Sequence, residues 1–368
     1  MRKDCAYTED TIQTHFTAIS EDAQPTFEIP STSLLNNSLG IDIFSPERIQ
    51  QYTVDTLVQY LGQPDDVHAM STAFFTGTHQ RIPALSKFRF YENFPSLTSR
   101  ELRADYAALC LCMLLAQHPP PESMTIRPPI YGIVKNLISL LEVANIISID
   151  LVHCKMLLAF YEMGHGLHAA AYVSIASCAR TARLLGLHRR VKNRFDADCD
   201  LILMEEEKRA WWSVVIMDRF IGLCNRDDIF VTDDPERTDV LPIDDLVWSE
   251  GLVPADIEDL VLLPPSLDTP FNITVGQMAR ECQISNLAGR VIRHVFKPTP
   301  DPDFNANEAI QLERTLRAYL PLLAAEELKI GKYCAAFGIC NRSVTSSPMF
   351  MDNSVMITAP YMCCMIPC

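Results

Sequence analysis

Glycine is scarce in this chain, with 13 among 368 residues, whereas proline reaches 24. That shortage argues against a β-protein built on glycine turns and favours helices separated by proline-containing loops. Long hydrophobic runs are missing too. The longest uninterrupted one, Tyr106 to Ala116, falls well short of the roughly 20 residues that a helix needs to cross a bilayer, so no membrane partner is expected. Positive charge is in short supply, with 31 Lys and Arg against 46 Asp and Glu, a formal net charge of -15. A domain that grips nucleic acid unaided carries a basic face. This chain repels phosphate as a whole, and DNA contact would have to come from a small appended module. The opening MRKDCAYTED lacks the apolar stretch of a secretion signal.

Apolar residues are plentiful at 48%, enough for a sizeable core. The length suits two domains, or one large α-rich domain with tails. The thirteen cysteines are an odd number, which rules out complete internal pairing, and several (Cys110, Cys112, Cys154) sit in apolar helical runs. They read as reduced, buried, small hydrophobes. Reactive motifs are lacking: there is no phosphate-cradling glycine loop, no G-x-S-x-G and no H-E-x-x-H. His165 and His168 have a metal-like spacing, but Gly166 and a helix junction intervene, so a polar turn is expected. Cys363-Cys364 is a lone vicinal pair. No catalytic residue, metal site or cofactor is expected in this chain.

The fold class that emerges is all-α: a helical array of roughly eight to ten helices with long proline-containing loops. Residues 1–45 read as a polar arm, 46–342 as the helical domain and 343–368 as an irregular tail. Ser45-Pro46-Glu47 gives an N-cap with proline at the first helical position. Thr98 and Glu101 have capping-box spacing ahead of an apolar periodicity that stops before Pro119. Further helices are expected at 129–147, 149–165, 168–185, 201–223, 273–296 and 306–338, with an acidic loop over 225–270. Gly186 suits a left-handed helix end, with Leu187 packing back.

Two central helices carry charges among their apolar residues. On 168–187, a helical projection places Ala169, Tyr172, Val173, Ala176, Leu184 and Leu187 together, with Arg180 and Arg183 on the same face. On EEEKRAWWSVVIMDR (205–219), Asp218 follows Trp211, Val214 and Val215, and Arg219 follows Trp212, Val215 and Ile216. Buried charges need partners. One reading pairs Asp218 with Arg180 or Arg183 across the two helices, with Arg219 reaching into the following loop. In the other, Asp218 and Arg219 mark the helix edge and face water. Glu205 to Glu207 favour the helix start, and Glu205 can pair with Arg209. The basic run HRRVKNR (188–194) reads as a solvated loop, a phosphate contact, a nuclear-import signal, or a face for the acidic stretch 227–245.

RTARLLGLHR (180–189), EEEKRAWWSVVIMDR (205–219) and VLPIDDLVW (240–248), in this order and spacing, resemble the fungal-specific transcription factor domain. This is the middle homology region of fungal binuclear zinc-cluster factors. FFTGTHQRIPALSKFRFYENF (74–94) resembles the family's early motif, and KIGKYCAAFGICNR (329–342) a later helix. The family's usual Gly-Arg-Pro after the long helix is Asn225-Arg226-Asp227 here. The resemblance implies an all-α regulatory domain, a role in transcription, a nuclear location and no catalysis. Its implied partners are the transcription machinery, another zinc-cluster factor or a second copy in a homodimer. RKDCAYT (2–8) looks like the end of a six-cysteine zinc cluster with Cys5 as its last ligand. One thiolate cannot hold that site, so zinc and direct DNA binding are not expected of the chain as given.

Overall fold

Ser45 starts the first helix as the pattern predicts. Its hydroxyl accepts the Arg48 amide and Pro46 occupies the first turn. In this computed structural model the described residues are 45–94, 102–119, 128–192, 200–251 and 264–330, the side chains of 325–330 excepted. They contain eleven α-helices. These are α1 (Pro46–Leu61), α2 (Pro64–Thr76), α3 (Lys87–Glu92), α4 (Ala104–Ala116), α5 (Pro129–Val143), α6 (Ile149–Gly164), α7 (His168–Leu184), α8 (Leu201–Asn225), α9 (Asp245–Glu250), α10 (Gln277–Phe296) and α11 (Pro302–Ile330). Among the described residues the extended pairing is limited to one isolated bridge, Val240 with Ser266. By its contacts the chain divides into residues 1–43 and 44–368, and every described residue lies in the second.

The helices pack in a relay. α1 and α5 lie on α4, α4 lies on α6, and α6 on α7 and α8; α8 also packs on α7 and α10, and α10 on α11. The innermost members are apolar almost all round, as buried helices must be. All but one residue of α4 is buried, and α6 is buried from Asp150 to Met163. Cys110, Cys112, Cys154, Cys178 and Cys282 are buried free thiols in this core. Burial pushes the Cys110 thiol up and that of Cys178 to about 12, so both are inert.

Several boundaries differ from the sequence pattern. Leu102 and Arg103 precede α4 in non-helical backbone, so the helix expected from Thr98 begins at Ala104; Thr98 and Glu101 lie outside the described residues. Arg103 has extended backbone and turns its side chain onto Asp105 and Asp150, both at 2.7 Å. The acidic loop contains α9, capped by Asp244, whose carboxylate accepts the Leu246 amide at 2.9 Å, and closed by Gly251 at φ 86°. α10 starts at Gln277 and α11 at Pro302. Gly186 takes the left-handed form at φ 78° and Leu187 is buried. The stretch 74–94 is the end of α2, a tight turn at Thr78–Arg81, and α3. Cys5, the remainder of 331–342 and the tail 343–368 lie outside the described residues.

Candidate functional site

α8 is the axle of the array. Asp200 begins it by accepting the amides of Ile202 and Leu203 at 3.0 and 3.1 Å. From Met204 to Leu223 every residue but Glu207 is buried, including Glu205, Glu206, Lys208, Arg209, Asp218 and Arg219. Taking one such charge from water costs several kcal/mol unless partners replace the lost hydration. The neighbouring segments supply those partners.

Glu205 accepts Arg209 Nε at 3.0 Å, Lys208 Nζ at 2.8 Å and the Ile243 amide at 2.9 Å. Arg209 in turn donates to Asp245 Oδ1 at 2.9 Å, the Pro83 carbonyl at 3.1 Å and the Ile243 carbonyl at 2.8 Å. Its guanidinium also lies 4.9 Å from the Trp248 ring centroid, a cation–π distance. Asp245 closes the set by accepting the Met278 amide at 3.1 Å, in the first turn of α10. Two carboxylates, Glu205 and Asp245, and the Arg209 guanidinium thus tie four segments together.

One residue further along, Glu206 accepts the Ser86 amide at 2.9 Å and pairs with Arg89. Arg89 also reaches Asp150 at 2.7 Å, and Asp150 reaches Arg103. Burial pushes the Glu206 carboxyl up to about 7, with Arg89 pulling against it. For Arg89, burial opposes the charge, yet the Glu206 and Asp150 carboxylates outweigh it and raise its pKa. The result is an ion pair with a buried carboxylate and a partly exposed guanidinium. His153 faces this cluster with neither ring nitrogen hydrogen-bonded, and burial keeps it neutral.

At the far end of α8, Asp218 accepts Arg219 Nη1 at 2.8 Å, the Thr232 amide at 3.0 Å and its hydroxyl at 2.7 Å. Arg219 continues to the Asp233 carbonyl at 2.9 Å and stacks 3.9 Å from the Phe230 centroid. Burial lowers the Arg219 pKa to about 10, which leaves it charged at neutrality. Arg219 therefore does reach into the following loop. The inter-helix bridge from Asp218 to Arg180 or Arg183 does not form. Arg180 is exposed, and Arg183 pairs with the exposed Asp233 at 2.8 Å while lying 5.4 Å from the Trp211 centroid. The assumed buried face of α7 is also turned outward, for Val173 and Leu184 are exposed. The buried stripe is Ala171, Ser174, Ile175, Cys178, Ala179, Thr181 and Ala182, mostly small side chains. These small residues let α6 and α8 approach closely, and they outrank the larger apolar side chains that the projection weighted. Trp211 and Trp212 are both buried, and Trp212 Nε1 donates to the Val240 carbonyl at 2.9 Å.

Two cations of the basic run, Arg190 and Lys192, are engaged by the protein's own acids. Arg190 pairs with Glu207, and Lys192 with Asp239 at 2.7 Å and Glu236 at 2.9 Å. His165 stacks on Tyr161 with centroids 3.7 Å apart. Among the described residues no three His, Cys, Asp or Glu side chains gather as metal ligands. The residues missed by sequence reasoning are Glu206, Ser86, Arg89, Asp150 and Asp245. The signal for Glu206 was its place shortly before Trp211 and Trp212 on a helix with no polar face; the others needed the tertiary fold.

Three of the stretches that carried the resemblance thus meet α8: Pro83, Ser86 and Arg89 from 74–94, Arg183 from 180–189, and Val240, Ile243 and Asp245 from 240–248. The class this defines is an all-α array whose segments are locked to one central helix by buried charges. The family model described as "Fungal specific transcription factor domain" matches residues 72–251. The chain is 30% identical over 141 residues to "Transcription factor BOA15" of Botryotinia fuckeliana (strain B05.10), across 38% of this chain and 78% of the relative. No solved structure matches it. The chain belongs to the fungal-specific transcription factor domain family, and membership carries a role in transcription regulation.

Proposed function

We propose that this domain sets the output of a fungal zinc-cluster-type regulator of RNA polymerase II transcription, acting in the nucleus on the genes of one pathway or specialised-metabolite cluster. The observation that supports this reading is the convergence of the separate motif stretches on α8. A change at one surface of such a scaffold is felt at the others through the Glu205–Arg209–Asp245 contacts. The partners that fit are the transcription machinery, another zinc-cluster factor, or a second copy of the chain. Zinc has no part in the proposal. Cys5 lies outside the described residues, and the described cysteines are free thiols in no cluster of three metal-ligand side chains.

The test fuses the full chain to a foreign DNA-binding domain and reads a reporter in fungal nuclei. Reporter output that differs from that of the DNA-binding domain alone is expected. An unchanged output under every nutrient condition overturns the proposal.

A second reading is a co-regulator that pairs with a complete zinc-cluster factor. The engagement of Arg190 and Lys192 by Glu207, Asp239 and Glu236 favours it, because those cations are not held free for phosphate. Recovery of a zinc-cluster protein on the tagged full chain supports this reading, and recovery of target DNA by the chain alone refutes it.

A further inference from the structure

Where α6, α8 and α10 meet, an internal cleft is lined by Phe160 and Met163 of α6, Ser213 and Met217 of α8, and Met278 and Glu281 of α10. Arg81 and Pro83 form its half-exposed rim. We propose that this cleft binds a small, neutral, mainly apolar molecule bearing one hydroxyl or carbonyl head group, and that its occupancy is transmitted to the Arg209–Asp245 contact. The inference goes beyond the transcriptional reading and stands or falls without it.

Two polar groups face an otherwise apolar wall. Ser213 is 2% exposed and its Oγ has no hydrogen-bond partner. A helical serine ordinarily bonds back to the carbonyl one turn earlier, and a buried hydroxyl left unmatched is costly. Glu281 is the second group, 4% exposed, with Gln277 Nε2 at 3.3 Å from its carboxyl. Burial, with Asp245 nearby, pushes its pKa up to about 8, against the pull of Gln277. The group is therefore mostly protonated at neutrality and can both donate and accept. A neutral acid beside an unmatched hydroxyl suits a neutral head group. An ammonium would meet Arg81 at the rim, and an anion would lose its hydration against a mainly apolar wall.

The enclosed space is small, about 30 Å³, which is room for about one water. A ligand must widen it, and methionine is the side chain that does so most easily. Three of the lining residues are methionines. Met278 is also shared with the ion network: its sulfur accepts Arg209 Nη1 at 3.6 Å and its amide donates to Asp245 at 3.1 Å. A molecule that displaces the Met278 side chain therefore acts on Arg209 and on the start of α10.

The test uses the full chain with carbon-13 methyl-labelled methionine, the signals being assigned by Met163→Leu, Met217→Leu and Met278→Leu. Benzyl alcohol is the probe, with toluene, benzylammonium and benzoate as comparisons. Benzyl alcohol should shift these three methyl signals saturably and leave the core Met113 signal in place. Toluene should bind about 10-fold more weakly, the worth of roughly one net hydrogen bond. Ser213→Ala should weaken benzyl alcohol by a similar factor and leave toluene unchanged, which also reports that the variant is folded. Glu281→Gln keeps the volume and should retain toluene binding as well. Absence of saturable shifts at the three methyls overturns the proposal. So does equal binding by the charged probes, or benzyl alcohol affinity unaffected by Ser213→Ala.

Discussion

Gly289 lies directly against the side chain of Arg219: a Cβ built on the glycine would stand 2.8 Å from Nε and 2.9 Å from Cδ. Those atoms cannot swing aside, because the guanidinium beyond them is held by Asp218, Thr232 and the Asp233 carbonyl. In an ordinary helix interior, glycine to alanine gains roughly 0.5–1 kcal/mol. Here the sign reverses, and Gly289→Ala should lose about 1–3 kcal/mol through overpacking. Urea unfolding measures this. Unchanged or raised stability would mean that Arg219 is free to move.

Glu205→Gln isolates the worth of the charge at the start of α8. The substitution keeps the shape but leaves Lys208 and Arg209 buried with their shared anion gone. Removing one partner of a buried pair costs about 3–5 kcal/mol, and unfolding at a correspondingly lower urea concentration is expected. Arg183→Met is the contrast. Its partner Asp233 is exposed, and such pairs are worth less than about 1 kcal/mol. Equal losses in the two variants would show that burial is not what gives the network its weight.

The all-α class and most helix positions were legible in the sequence, because they depend on local rules. Ser45 with Pro46, and Gly186 at a helix end, are recognisable without any knowledge of neighbours. The pairing of Arg219 with the following loop was also readable, since a charge among tryptophans and valines must find something near. The partner of Asp218 was not. A helical projection of 168–187 gives weight to Val173 and Leu184 for their size, but α6 and α8 admit only the narrow Ala171, Cys178 and Ala182 side. Nor could spacing alone bring Ser86 to Glu206, which are 120 residues apart. That contact follows from the turn at Thr78–Arg81 and the cap at Ser86, which aim the backbone at α8.

Arg226 closes α8 in the left-handed region, at φ 57° and ψ 45°, while its amide bonds to the Gly222 carbonyl. An L-residue with a Cβ is strained there by roughly 1–2 kcal/mol, and the side chain is exposed. Arg226→Gly should therefore raise stability by about 1 kcal/mol, part of the relief being offset by the greater freedom of glycine in the unfolded chain. A rise in the thermal midpoint with unchanged helical circular dichroism is the expected result. A fall would mean that the Arg226 side chain makes a contact of greater worth than the strain.

Glu281 gives the protein a pH dependence whose sign can be worked out. Its ordinary value is 4.5, and burial pushes it up to about 8 in the folded protein. Between those two values the folded state holds a proton that the unfolded chain has lost. The contribution of the neutral carboxyl to stability is full below about pH 4.5 and is lost as the pH rises through about 8. At 1.36 kcal/mol per unit the change amounts to at most about 5 kcal/mol. Glu281→Gln cannot ionise and removes it. Urea unfolding of both proteins at about pH 5 and about pH 8.5 should therefore show the wild type losing ground to the variant at the higher pH. A constant difference between them would mean that the carboxyl titrates as it does in water, and that the cleft beside Ser213 and Met278 is open to solvent.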